Sequence, residues 1–229
     1  HLAGRTHPTH FQVSISAQGV PGTTKQTLRE SETYAGTSDT YMVQWQEWDN
    51  FGNDEIMTIS AGTKSALIRF DLSSLPTPLI VKAAHLYLWT GFGDHGIDVG
   101  AYQVLRPWNE SEASWRIAQG DTQWGIPGCN DTTSDRLGAP AATTTFSVQD
   151  TEYSLNLRDL VQYWVDHPEQ NYGVLLRGTG TGSYQIRSSE YTYNASRRPR
   201  LEIEYIVATP SPTPTNTMIP TPTASRTPT

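Results

Sequence analysis

Apolar and polar residues alternate over most of the chain, and this period of two predicts many short β-strands. Ala84, Leu86 and Leu88 share one face of a long predicted strand, and Ile68 and Phe70 share one face of another. Predicted strands cover residues 40–43, 56–60, 66–72, 81–90, 97–105, 143–148, 152–155, 173–177, 183–187 and 201–207. Strands of this number and length are typical of a β-sandwich.

One segment has helical periodicity instead. Apolar residues at 157, 160, 161 and 164 follow the spacing of one helix face, and Asn156 is the predicted cap. His167-Pro168 ends this short helix. Residues 106–141 are predicted to form a long loop anchored by tryptophans, and residues 25–41 to be an irregular lead into the domain.

Together these elements predict an all-β fold, a jelly-roll-type β-sandwich with one short helix, over residues 23–207. Residues 1–22 are expected to be an N-terminal extension, in which Phe11, Val13 and Ile15 alternate with polar residues over 11–16. This strand is separated from the domain by a Gly/Pro turn, so we expect it to be able to pair with another chain.

Residues 208–229 form a Pro/Thr-rich tail or linker, which cannot lie inside a sheet because proline lacks a backbone N–H. Its hydroxyls are O-glycosylation candidates: Thr209, Ser211, Thr213, Thr215, Thr221 and Thr223. Three Asn-X-Ser/Thr sequences make Asn109, Asn130 and Asn194 N-glycosylation candidates. These features predict covalent glycans and an extracellular location, secreted or on the cell surface.

Charge and motif content exclude several function classes. The formal net charge of −7 argues against nucleic acid as a partner, and we expect no membrane insertion because apolar runs are short. The chain contains neither a G-x-S-x-G nucleophile motif nor an H-E-x-x-H zinc motif. We therefore expect a protein that is not an enzyme.

Acidic residues cluster in the loop between the first two predicted strands. Glu47, Asp49 and Asp54 offer oxygen atoms of the kind that Ca²⁺ prefers, although no EF-hand spacing is present. The alternative is a solvated acidic loop without a metal. Ca²⁺ is the one metal cofactor that the sequence suggests.

Two further groups of residues have alternative interpretations. Arg69 and Asp71 lie two apart on a predicted strand, and we expect structural ion pairs among them, Glu190 and Arg198. Trp45, Trp48 and Phe51 have three alternative interpretations: a sugar-stacking platform, a protein contact, or a cover over the end of the core.

Nine short blocks of sequence, in this order and spacing, resemble the DNRLRE-domain family of extracellular β-sandwich modules. The blocks are Asp39–Tyr41, Asp49–Gly52, Leu67–Pro76, Arg106–Trp108, Ser114–Trp115, Asp159–Trp164, Asn171–Arg177, Ser188–Tyr191 and Arg198–Leu201. This family is similar to some carbohydrate-binding modules, and the resemblance spans residues 27–205. It implies a jelly-roll module with a sugar-binding, adhesive or structural role and implies no catalysis.

Two functions fit these expectations. The first is a structural subunit of an extracellular, glycosylated filament, in which the strand 11–16 of one copy adds to a sheet of the next copy and neighbours hold the tail in place. The second is a non-catalytic carbohydrate-binding module that a Pro/Thr linker tethers to a larger secreted or surface protein, with a polysaccharide as its partner. The sequence favours the filament, a homopolymer.

Overall fold

Antiparallel strands build the molecule, and the computed structural model describes residues 22–207. The strands are β1 (Thr24–Arg29), β2 (Thr37–Val43), β3 (Ile56–Ser60), β4 (Lys64–Phe70), β5 (Leu79–Gly93), β6 (Ile97–Gln103), β7 (Ile117–Gln119), β8 (Thr122–Gln123), β9 (Ala142–Phe146), β10 (Glu152–Asn156), β11 (Val174–Thr179), β12 (Ser183–Arg187) and β13 (Arg200–Val207). One α-helix, α1, spans Arg158–Asp166. The predicted all-β sandwich is therefore confirmed.

The strands form two layers that share β5. One layer has the strand order β1-β13-β5-β10. The other layer contains β2-β4-β11-β6-β9. Strands β3 and β12 connect the two layers, because β3 pairs with β4 and with β12, and β12 pairs with β5. Most of β5 pairs with β13, whereas Thr90 and Gly93 at its end pair with β12. A strand that passes from one sheet to the other closes a corner of the sandwich.

The main core lies between the two layers. Leu86 and Ile203 enter it from one layer, and Ile68 and Leu176 enter it from the other. Helix α1 contributes three buried side chains to the same core: Leu160, Val161 and Trp164. The predicted apolar stripe of this helix is confirmed for these three residues. The prediction of Asn156 as the cap is wrong, because Leu157 occupies the N-cap position and no side chain caps the helix. Asn156 lies one residue earlier, where its Oδ1 accepts a hydrogen bond from the Arg158 N–H, 3.1 Å away.

A second core covers the outer face of the sheet that contains β4. Leu67 and Leu175 point to this side, because neighbouring residues on a strand face opposite ways. The long segment between β6 and β9 covers them with Trp108, Trp115 and Trp124. Strand β4 is consequently buried on both faces, which explains its nearly continuous apolar sequence.

A single buried carboxylate organises this long covering segment. Asp135 accepts hydrogen bonds from the backbone N–H groups of Gly125 (2.8 Å), Ile126 (3.1 Å) and Asp131 (3.1 Å). The Arg106 guanidinium lies 3.2 Å from the same side chain. A fully buried charge is tolerated here because every one of these donors points at it.

Strand β1 corrects the prediction of an irregular lead over residues 25–41. It is an edge strand that pairs only with β13 among the described residues, and Leu28 is its one buried side chain. A polar edge strand has no alternating pattern, so its sequence does not reveal it. β7 and β8 form a further short hairpin within the predicted loop.

The predicted N-terminal strand with Phe11, Val13 and Ile15, and the predicted tail with its O-glycosylation candidates, lie outside the described residues. The predicted division of the chain at residues 22 and 208 stays a prediction. Within residues 22–207, the helices are too short and too polar for a bilayer span.

The stability of the sandwich should depend on Asp135. Replacing Asp135 with Ala leaves three backbone N–H groups and a guanidinium without their buried acceptor, so we expect the free energy of unfolding to fall by about 3–5 kcal/mol. Urea denaturation followed by tryptophan fluorescence measures this loss. Asp121→Ala, an exposed carboxylate on the same segment, is the control and should change stability by less than about 0.5 kcal/mol. Equal midpoints for the two variants would contradict the assignment.

Candidate functional site

Two large indole side chains lie on the surface of the loop between β2 and β3, residues 44–55. The loop turns back on itself at its start, where the Gln46 N–H donates to the Val43 carbonyl at 3.1 Å. Trp45 and Trp48 are both 64% exposed. The Lys64 ammonium lies 5.2 Å from the centre of the Trp45 ring, so one indole also contacts a cation.

Phe51 does not belong to this exposed pair. Its ring stacks on Tyr41 at a centroid distance of 4.6 Å, and it is only partly exposed. The three aromatic residues that the sequence groups together therefore divide into two tryptophans on the surface and one phenylalanine packed against β2.

The loop is fixed to the long covering segment by several bonds. Arg116 Nε lies 2.9 Å from Glu47 Oε2, and the Arg116 N–H donates to the Glu47 carbonyl at 3.0 Å. The Asn50 side-chain amide donates to the carbonyls of Glu110 (2.7 Å) and Ala113 (2.8 Å). These bonds leave the backbone beneath the tryptophans little freedom to move.

The end of the loop contacts a different segment. The Glu55 carbonyl accepts from the Ser188 N–H at 3.1 Å, and the Glu55 carboxylate accepts from the Thr192 N–H at 3.2 Å. The loop that carries the two tryptophans is thus held between residues 110–116 and residues 188–192.

The predicted Ca²⁺ ligands do not converge. Glu47 is paired with Arg116, Asp49 accepts from the Gln46 side chain at 3.2 Å, and Asp54 accepts from the Tyr41 hydroxyl at 3.3 Å. Burial, and then the charge of Asp54, raises the pKa of Tyr41 to about 12. Each carboxylate has a separate partner, so the structure does not bring the three together, and a calcium site at Glu47, Asp49 and Asp54 stays a prediction.

Three other carboxylates do come together. Asp39 on β2, Glu110 in the covering segment and Glu190 after β12 each place one oxygen within 4.8 Å of the others. The sequence separates them by about 70 residues or more, so no local spacing indicates their contact. Only the pairing of β2 with β4 and the docking of two connecting segments bring them together.

Ionisation of all three carboxylates in this cluster is electrostatically unfavourable. Burial raises the pKa of Asp39 well above its ordinary value, and the neighbouring charge of Glu190 raises it further. The pKa of Glu110 is raised to about 7, mainly by burial, although the hydrogen bond from the Asp39 N–H opposes that change. Asp39 N and Glu110 Oε1 are 2.6 Å apart.

The predicted ion pairs among Arg69, Asp71, Glu190 and Arg198 are corrected by the structure, because within residues 22–207 these side chains have other partners. Arg69 donates to Ser38 at 3.3 Å and lies over the Trp108 ring, and Asp71 accepts from Ser73 at 2.8 Å. Arg198 donates to two backbone carbonyls. The Trp108 ring is a partner of Arg69, and backbone carbonyls are the partners of Arg198, in place of the expected carboxylates. Glu190 belongs to the carboxylate cluster.

The three N-glycosylation candidates lie in turns. Asn109 and Asn194 are exposed, and each accepts hydrogen bonds from the Ser two residues later in its Asn-X-Ser sequence. Asn130 is partly buried and donates through its side-chain amide to the Pro127 carbonyl at 2.7 Å. Glycosylation at these positions remains a prediction.

Comparison with known proteins identifies the family. No curated protein sequence matches the chain. A solved structure, the cryo-EM structure of Mud crab tombus-like virus, aligns with 12% identity over 93% of each chain at a TM-score of 0.26, which is too low to support an argument. The model of carbohydrate-binding module family 96 matches residues 30–205. This match confirms the expected relation to carbohydrate-binding β-sandwich modules. Membership of the DNRLRE-domain family stays a prediction. The chain belongs to carbohydrate-binding module family 96.

Proposed function

We propose that this chain is a non-catalytic module that binds a polysaccharide through Trp45 and Trp48. The observation that carries the proposal is that both indoles are 64% exposed on a loop that is bonded to two neighbouring segments. Water-exposed indole surface is unfavourable unless a partner covers it, and the C–H face of a sugar ring is a suitable partner. The family match supports a carbohydrate as that partner.

Rigid support should increase the affinity of such a surface. A loop that is already held in its binding conformation does not lose conformational entropy when the sugar arrives. The contacts of Glu47, Asn50 and Glu55 provide this support from two sides of the loop. A flat polysaccharide chain can stack on exposed indoles without entering a deep pocket.

Charge favours an uncharged polysaccharide as the ligand. The chain carries a formal net charge of −7, and Asp49 is exposed on the same loop as the tryptophans. A polyuronate would be repelled by this potential, whereas carboxylates accept hydrogen bonds from the hydroxyls of a neutral sugar.

The family match supports sugar binding better than the filament that the sequence favours. The proposed assembly strand lies outside the described residues, so no contact between copies supports a homopolymer. A sugar-binding module would act outside the cell, which agrees with the predicted glycosylation and the Pro/Thr linker. We extend the proposal to that location, and to tethering of the module to a larger protein.

Removing either indole should weaken sugar binding. We expect Trp45→Ala and Trp48→Ala to raise the Kd for a bound neutral polysaccharide at least about tenfold, which corresponds to about 1.4 kcal/mol of lost stacking. Affinity electrophoresis against a panel of neutral and acidic polysaccharides, followed by calorimetry, measures the change. Phe92→Ala, which removes an aromatic ring that is 66% exposed outside this loop, is the matched control. The absence of any ligand in the panel, or equal affinities for all variants, would refute the proposal.

Displacing the loop should lower both the stability of the protein and its affinity for the polysaccharide. A Cβ atom at Gly52 would contact the Glu110 carbonyl oxygen and come within 2.9 Å of the carbonyl carbon. Gly52→Ala should therefore cost about 1–3 kcal/mol of stability and reduce the affinity for the same polysaccharide. Thermal unfolding and calorimetry check the two effects. Gly138→Ala is the control, since its nearest neighbour would be 3.7 Å away, and it should change neither quantity.

A further inference from the structure

In the part of the chain that the structure describes, no basic side chain lies within ion-pair distance of the carboxylate cluster of Asp39, Glu110 and Glu190. None of the ion pairs formed by residues 22–207 includes any of the three. Arg69 is the cation whose charge acts on Glu110, and its guanidinium is directed to Ser38 and the Trp108 ring. Converging carboxylates without a partner require a proton or a metal ion.

Two oxygens of the cluster are also buried without a hydrogen bond. Asp39 is 1% exposed, its Oδ2 accepts from the Ser189 N–H at 2.8 Å, and its Oδ1 has no partner. Glu190 is similar, because its Oε1 accepts from the Ser189 hydroxyl at 2.7 Å while its Oε2 has no partner. Buried acceptors are nearly always satisfied, so these two oxygens require a shared proton, a water molecule or a bound ion.

The donor set identifies the class of ligand. Three carboxylates provide only hard oxygen atoms, and their ligand atoms lie within 4.8 Å of one another. Ca²⁺ binds oxygens at about 2.3–2.6 Å, so two oxygens on opposite sides of the ion are about 5 Å apart. We propose that Asp39, Glu110 and Glu190 bind one Ca²⁺ ion. This site is distinct from Glu47, Asp49 and Asp54, and it does not depend on the proposed sugar ligand.

Such an ion would join three segments that are distant in sequence. Asp39 lies on β2. Glu110 lies in the covering segment, and its carbonyl accepts a hydrogen bond from the Asn50 side-chain amide. Glu190 lies two residues after Ser188, whose N–H donates to the Glu55 carbonyl. Both segments that hold the tryptophan loop are therefore tied to β2 through the proposed ion. We infer a stabilising role that the hydrogen bonds alone do not provide.

Thermal unfolding of the full 229-residue chain tests the site after removal of metal with EDTA and dialysis. At about 10 mM Ca²⁺, roughly a hundred times the Kd of a modest extracellular site, the Tm should rise by about 5–10 °C. Mg²⁺ should produce a smaller rise, because it requires shorter bonds and a stricter geometry. Elemental analysis should find about one calcium per chain, the number that a single site of this kind holds.

Substitution of one ligand separates this site from unspecific binding. Asp39→Asn keeps the shape of the side chain and should lose most of the Ca²⁺-dependent rise in Tm and the bound calcium. Asp49→Asn, at an exposed carboxylate that the sequence suggests as a ligand, should keep both. Glu110→Gln carries the same test if Asp39→Asn does not fold, as judged by circular dichroism.

Three results would overturn the proposal. The first is an unchanged Tm and no bound calcium for the wild-type chain, in which case a shared proton satisfies the cluster. The second is an equal Ca²⁺-dependent rise in the wild-type chain and in the variant at position 39 or 110. The third is a larger rise with Mg²⁺ than with Ca²⁺, which would rule out Ca²⁺ as the ion.

Discussion

Strand β5 pairs with strands of both layers, and the rest of the sandwich depends on this sharing. Its first part is bonded to β13 and β10, and its last residues are bonded to β12. Because the side chains of one face of β5 enter the main core, closing this corner buries apolar surface from both sheets at once. The positions of β4, β11 and the segments outside them follow from that closure.

The second core explains why the loop that carries Trp45 and Trp48 is well supported. Leu67 and Leu175 would leave an apolar sheet face in water, so the segment after β6 covers it with three tryptophans. That segment is organised by Asp135, and it provides Glu110 and Arg116 as contacts for the loop that carries Trp45 and Trp48. The exposed indoles therefore rest on a layer whose own stability comes from hydrophobic burial. The carboxylate cluster lies at the meeting point of β2, this segment and residues 188–190.

Much of the fold could be predicted from the sequence, because burial on one face imposes a period of two on strands such as β3 and β12. The helix was predicted for a similar reason, since Leu160, Val161 and Trp164 follow its period. Edge strand β1 could not be predicted, because it buries little and its residues carry no alternation. Candidate sites were predicted less well: Trp45 and Trp48 are exposed as a platform requires, whereas Phe51 packs on Tyr41 and the three expected calcium ligands have separate partners.

The sequence by itself determined the class of fold, the strand pattern, the acidic character and the aromatic loop, because each of these depends on composition or on neighbours along the chain. Tertiary structure alone decided that Asp39, Glu110 and Glu190 meet, that Arg69 lies on Trp108 instead of pairing with a carboxylate, and which tryptophans stay in water. The physical reason is that charge–charge contacts and burial depend on distance in space. Residues that are distant in the sequence become neighbours only after the sheets pair and the connecting segments dock.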